Sequence, residues 1–102
     1  MDRLYKMAEG YNKRFPEGVN PFQMATHLLE ECGEVAGEVN HWENTGIKRQ
    51  KHGEPEKDKL ANEIRQALSA LIQIAAYYNI EDELDKSIEE SLKRIKSEGL
   101  ID

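Results

Sequence analysis

The chain has 102 residues, 38% hydrophobic and 33% charged, with a net charge of −6, which is enough for a single domain over residues 1–102. An acidic balance argues against a nucleic-acid-binding surface, which needs a basic face to replace the counterions around phosphates. The lone Cys32 excludes an internal disulfide and a thiolate zinc site, no apolar run approaches the ~20 residues that span a bilayer, and the N-terminus lacks the apolar core of a signal peptide, so the expectation is a soluble cytoplasmic protein with no membrane partner.

Periodicity predicts an all-α fold with four helices. Leu4, Met7, Ala8 and Tyr11 recur at helical spacing, and "RFPEGVNP" ends this first helix with two prolines and a glycine. The second start is well marked: Asn20 is a capping residue, Pro21 suits the first helical position, and Gln23 stands where its side chain reaches back to the free backbone N–H. Helix two is expected over Pro21–Asn44, with an apolar stripe of Met24, Leu28, Cys32, Val35, Val39 and Trp42. "NTGIKRQKHGEP" reads as a polar loop. Helix three is expected over Glu56–Tyr78, apolar over more than half its circumference. "NIEDE" breaks it, and Ile80, Leu84, Ile88, Leu92 and Ile95 mark a fourth helix that ends near Gly99. One small domain can hardly cover helix three alone, so an antiparallel bundle assembling as a homo-oligomer is expected.

The second helix raises a chemical question, because Glu30, Glu31, Glu34 and Glu38 crowd one segment. Like charges three and four apart on a helix repel by a few tenths of a kcal/mol per pair, so a cation or basic partner is needed to offset them. His27, Glu31, Glu34 and Glu38 follow one another at steps of four, three and four and form a polar stripe. Glu31 and Glu34 can share an ion, and oxygen ligands without a histidine or cysteine cluster favour Mg²⁺ or Mn²⁺ over zinc. Taken alone, the run favours a solvated helix face, since glutamate is a good helix former. A second pair changes the balance: Glu63 and Gln66 repeat the three-residue spacing on helix three, and antiparallel packing of the two helices turns both pairs toward each other.

In "LLEECGEVAGEV" and "LANEIRQALSALIQIA" the chain resembles the MazG-like all-α nucleoside triphosphate pyrophosphohydrolases, which include dUTPase and dCTPase relatives and phosphoribosyl-ATP pyrophosphohydrolase. The family pattern is Glu-Glu-x-x-Glu followed by Glu-x-x-Asp; the first half matches at residues 30–34, and Gln66 stands where the family has aspartate. The resemblance implies that Glu31, Glu34 and Glu63 bind Mg²⁺, with Gln66 at the fourth position of the metal site. It further implies that Glu30 orients or deprotonates the attacking water. The implied reaction cleaves a nucleoside triphosphate or deoxynucleoside triphosphate between the α- and β-phosphates, giving the monophosphate and pyrophosphate. The implied assembly is a homodimer or homotetramer of helical subunits.

Substrate-binding candidates follow from the need for cations and a base platform. Lys48, Arg49 and Lys51 crowd the loop after helix two, where they either meet phosphate or are simply solvated. Trp42 either stacks on the base, with His41 and Asn44 as polar readers, or packs in the core. His27 either touches a phosphate or holds a glutamate in place, and Glu38 extends the acidic stripe. Asn62, Ser69 and Gln73 give helix three a polar edge, which offers Gln66 a hydrogen-bond network as an alternative to the metal. Two further functions stay open: a nucleotide-binding or regulatory module that releases no pyrophosphate because of Gln66, and a structural helical interaction protein that binds neither metal nor nucleotide.

Overall fold

The computed structural model describes residues 2–14 and 20–102. It contains five helices: α1 (Asp2–Arg14), α2 (Pro21–Glu43), α3 (Lys48–His52), α4 (Lys57–Tyr77) and α5 (Glu81–Ser97). No strand occurs among the described residues. No helix there is long and apolar enough to cross a membrane. Residues 15–19, in the stretch expected to terminate the first helix, lie outside the described residues.

Local chemistry sets the helix ends. Gln23 N–H donates to Asn20 Oδ1 at 2.9 Å and Asn20 N–H donates to Gln23 Oε1 at 3.3 Å, so the expected reciprocal cap starts α2. α2, α4 and α5 stop by one device. Asn44, Asn79 and Gly99 adopt positive φ of 56°, 56° and 75°. The following N–H then turns back to a carbonyl of the last turn, Thr45 to Asn40, Ile80 to Ala75 and Leu100 to Ile95. Asparagine and glycine are the residues that accept this left-handed backbone at least cost.

Antiparallel α2 and α4 form the centre of the molecule, α1 lies across α4, and α5 meets the end of α4. Tyr5 ties α1 to α5, since its hydroxyl donates to Asp85 Oδ1 at 3.0 Å, and burial followed by the Asp85 carboxylate pushes that phenol up to about 12. The molecule is flat, 46 × 45 × 21 Å, and its radius of gyration of 16.8 Å exceeds the ~13 Å of a compact chain of this length. α5 therefore stands away from the α2–α4 pair and buries no residue completely.

Two sequence expectations change. The stretch 44–55 is not all loop, because α3 forms within it. The inward line of α2 also differs from the apolar stripe. Met24 is buried and Leu28, Val35 and Trp42 half-buried, but Cys32 and Val39 face out, and the inward positions between them are taken by Glu31 and the fully buried Glu38. Phe22, Leu29 and Val39 are left 83%, 73% and 47% exposed, and on α4 Ile64, Leu68 and Leu71 are also exposed. One chain thus leaves an apolar seam uncovered on each central helix.

Candidate metal centre and adjoining cleft

Antiparallel pairing brings the Glu31–Glu34 pair of α2 to Glu63 of α4, the first member of the second spacing. Ligand oxygens of Glu31 and Glu34 on α2 and of Glu63 on α4 all lie within 4.8 Å of one another. Glu63 is 8% exposed, and Glu63 Oε2 and Glu31 Oε2 are buried with no hydrogen-bond partner. A proton shared with Glu34, burial, and the charges of Glu34, Glu31 and Glu38 push the Glu63 carboxyl above the usual carboxylate range. Three carboxylates so close, two with orphaned buried oxygens, are an arrangement that a hard divalent cation satisfies, because it supplies the missing partner and the missing charge together.

Glu31 also opens onto a cleft of about 580 Å³ between α1, α2 and α4. Tyr11, Met24 and Ala70 give it apolar surface, while Gln66, Ser69 and Gln73 supply polar groups from one face of α4. Gln66, expected in the metal site, thus lines this cleft beside Glu31. Of the polar edge noted on helix three, Ser69 and Gln73 reach the cleft, whereas Asn62 is exposed and accepts from Arg65 at 2.9 Å. Tyr11 and Arg65, which also line the cleft, carry no signal in the sequence beyond ordinary amphipathic spacing.

The other expected residues fall in three places. Glu30 is not gathered with the three carboxylates; it is exposed and lines an open groove with Thr26 and His27. His27 Nε2 stands 3.6 Å from Glu31 Oε1, so it borders both groove and cleft. Lys51 is exposed on α3.

Glu38, Lys48 and Arg49, all expected at substrate, are instead engaged within the protein, while Trp42, also expected there, is half-buried with its indole Nε1 unpartnered. Lys48 Nζ donates to Glu38 Oε1 at 2.7 Å, and Lys59 Nζ lies 3.7 Å from the same oxygen. The hydrogen bond from Lys48, reinforced by the nearby charges, holds Glu38 below the usual carboxylate range despite its burial. Arg49 donates to the carbonyls of His41 at 3.1 Å and Trp42 at 2.9 Å, closing the C-terminal end of α2, where a cation also complements the helix dipole. His41 is buried and its Nε2 donates to the Gly53 carbonyl at 2.7 Å. The basic segment therefore folds α3 back onto α2 because Glu38 and the helix end supply its acceptors. Trp42 is half-buried three turns beyond Glu31, roughly 16 Å along the helix, too far to line the cleft beside that carboxylate.

Compared with protein-family models, curated proteins and solved structures, the chain finds no match.

Proposed function

We propose that the chain is a Mg²⁺-dependent nucleoside triphosphate pyrophosphohydrolase that converts an NTP or dNTP to the monophosphate and pyrophosphate. The supporting observation is the convergence of Glu31, Glu34 and Glu63, with orphaned buried oxygens on two of them, at the edge of a cleft large enough for a nucleoside. These three carboxylates would hold the cation, with Mn²⁺ as a substitute. A cation held there would supply charge to neutralise triphosphate oxygens and polarise the phosphorus under attack. Following the resemblance, Glu30 takes the proton of the attacking water, and His27 keeps Glu31 oriented from one turn away.

A pyrophosphate-release assay over a panel of NTPs and dNTPs, with Mg²⁺ and with Mn²⁺, tests this reading; no release from any of them overturns it. Glu30→Gln is expected to lower turnover by about 10²–10⁴-fold while leaving Mg²⁺ and nucleotide affinity within twofold, because a proton acceptor contributes to the transition state alone. Equal loss of binding and turnover would remove Glu30 from that role. A second reading is favoured by Gln66, a neutral residue at the family's fourth ligand position: a nucleotide-binding module in which substrate binds and stays intact. It predicts calorimetric binding with no pyrophosphate.

We also place this activity in a cytoplasmic homodimer or homotetramer. On α2, Phe22, Leu29, Cys32 and Val39 are exposed along one line, and on α4 Ile64, Leu68 and Leu71 are exposed along another. Two such antiparallel pairs, laid face to face, make a four-helix bundle with the seams inside. Sedimentation should therefore give a multiple of 11.7 kDa for the wild type and a shift toward monomer for Leu71→Glu. A wild type that sediments as a monomer at tens of micromolar rules the assembly out.

A further inference from the structure

The cleft between α1, α2 and α4 holds polar groups that neither the fold nor the carboxylate site uses. Ser69 is 7% exposed, and its Oγ is buried without a hydrogen-bond partner. A buried hydroxyl left unpaired costs free energy, so a protein retains one more readily where something else pairs with it. Gln66 and Gln73 flank Ser69 on the same face of α4, each with an acceptor oxygen and a donor NH₂ on one planar group. Met24 on α2 (8% exposed) and Ala70 beside Ser69 on α4 (3% exposed) add buried apolar surface to the cleft lining.

We propose that this cleft binds a nucleobase, and that Gln66 and Ser69 read its hydrogen-bonding edge; the choice of ligand rests on the hydrolase reading. A base presents two apolar faces and an edge of adjacent donors and acceptors, which matches a cleft lined by Tyr11, Met24 and Ala70 together with amides and a hydroxyl. A wholly apolar ligand would leave the amides and Ser69 unpaired. An anionic group would meet Glu31, with Arg65 as the one Lys or Arg lining the cleft among the described residues. The same Glu31 sets the direction of binding, because it belongs both to the cleft and to the three carboxylates. A base in the cleft therefore points its sugar and phosphates toward Glu34 and Glu63. The neutral side chain at 66 acquires a role in this arrangement: it selects the base.

The test uses nucleosides, which carry no phosphate, titrated into the full chain in EDTA. Adenosine, guanosine, cytidine, uridine and thymidine are compared by calorimetry. At least one is expected to bind at millimolar affinity or better, and Ser69→Ala and Gln66→Ala should each weaken it about five- to tenfold, the loss of one hydrogen bond. Without ligand, Ser69→Ala should melt no lower than the wild type, since it removes an unpaired hydroxyl. Gln66→Ala should titrate Mg²⁺ as the wild type does. The proposal is overturned if no nucleoside binds, if both variants bind nucleoside like the wild type, or if Gln66→Ala loses Mg²⁺ affinity and keeps nucleoside affinity. Pyrophosphate release reports the carboxylate site separately, so a chain that binds nucleosides and hydrolyses nothing would sink the hydrolase reading and leave this one standing.

Discussion

Glu63→Gln is expected to raise the melting temperature of the metal-free protein and to abolish its stabilisation by Mg²⁺. The carboxyl is buried among Glu31, Glu34 and Glu38, has one oxygen without a partner, and is pushed upward by the proton it shares with Glu34, by burial and by those charges. Its folded value lies above its unfolded value of 4.5, so its contribution to stability is fully present below that pH and is lost as pH rises through the folded value. Once ionised, Glu63 thus adds an uncompensated repulsion to the metal-free protein. Glutamine keeps the shape, removes the charge and can donate to Glu34. The gain should be on the order of 1–2 kcal/mol, the scale of relieving an unsatisfied buried group, and it should grow as pH rises through the folded value. Mg²⁺ at a hundred times its dissociation constant should stabilise the wild type by about 2.7 kcal/mol and the variant by nothing measurable. Thermal melts with and without Mg²⁺ read both arms. A variant that Mg²⁺ stabilises as well as the wild type would remove Glu63 from the ion.

How much of this was legible in the sequence depends on the range of the interactions involved. The Asn20–Gln23 cap and the stop at Gly99 are readable because a few adjacent residues make them. The meeting of Glu31, Glu34 and Glu63 is readable because residues three apart share a helix face and antiparallel packing can turn that face toward Glu63, whereas Gln66, at the same spacing, goes to the cleft. The phase of α2 is not. Hydrophobicity stands in for burial in a periodic reading, and here Glu38 goes inside while Leu29 and Val39 stay out. That inversion needs Lys48 and Lys59, ten and twenty-one residues away, to compensate the buried charge. The same long-range contact explains α3, whose five residues show no apolar period and which is held by acceptors that α2 provides. The cleft escaped for a related reason. Ser69 and Gln73 look like a polar edge until α1 crosses α4 and Tyr11 closes one side.

Lys48→Met should destabilise the protein by about 2–3 kcal/mol at pH 7. Removing one partner of a buried ion pair costs roughly 3–5 kcal/mol, and the lower figure applies here because Lys59 remains 3.7 Å from Glu38 Oε1 and Lys48 is itself 34% exposed. The pH dependence has the opposite sense to that of Glu63. Glu38 is held low by the Lys48 hydrogen bond, so the pair stabilises above the unfolded value of 4.5 and its contribution is lost as pH falls through the folded value. The gap between wild type and Lys48→Met should therefore be full at pH 7 and close in acid. Adding Glu38→Gln to Lys48→Met should recover much of the loss, since the stranded charge is gone, and the non-additivity measures the coupling. Denaturant unfolding of the four proteins gives that number. If Lys48→Met unfolds like the wild type at pH 7 but needs more nucleotide triphosphate to reach half-maximal rate, the ammonium serves phosphate, and the contact with Glu38 is where it rests between substrates.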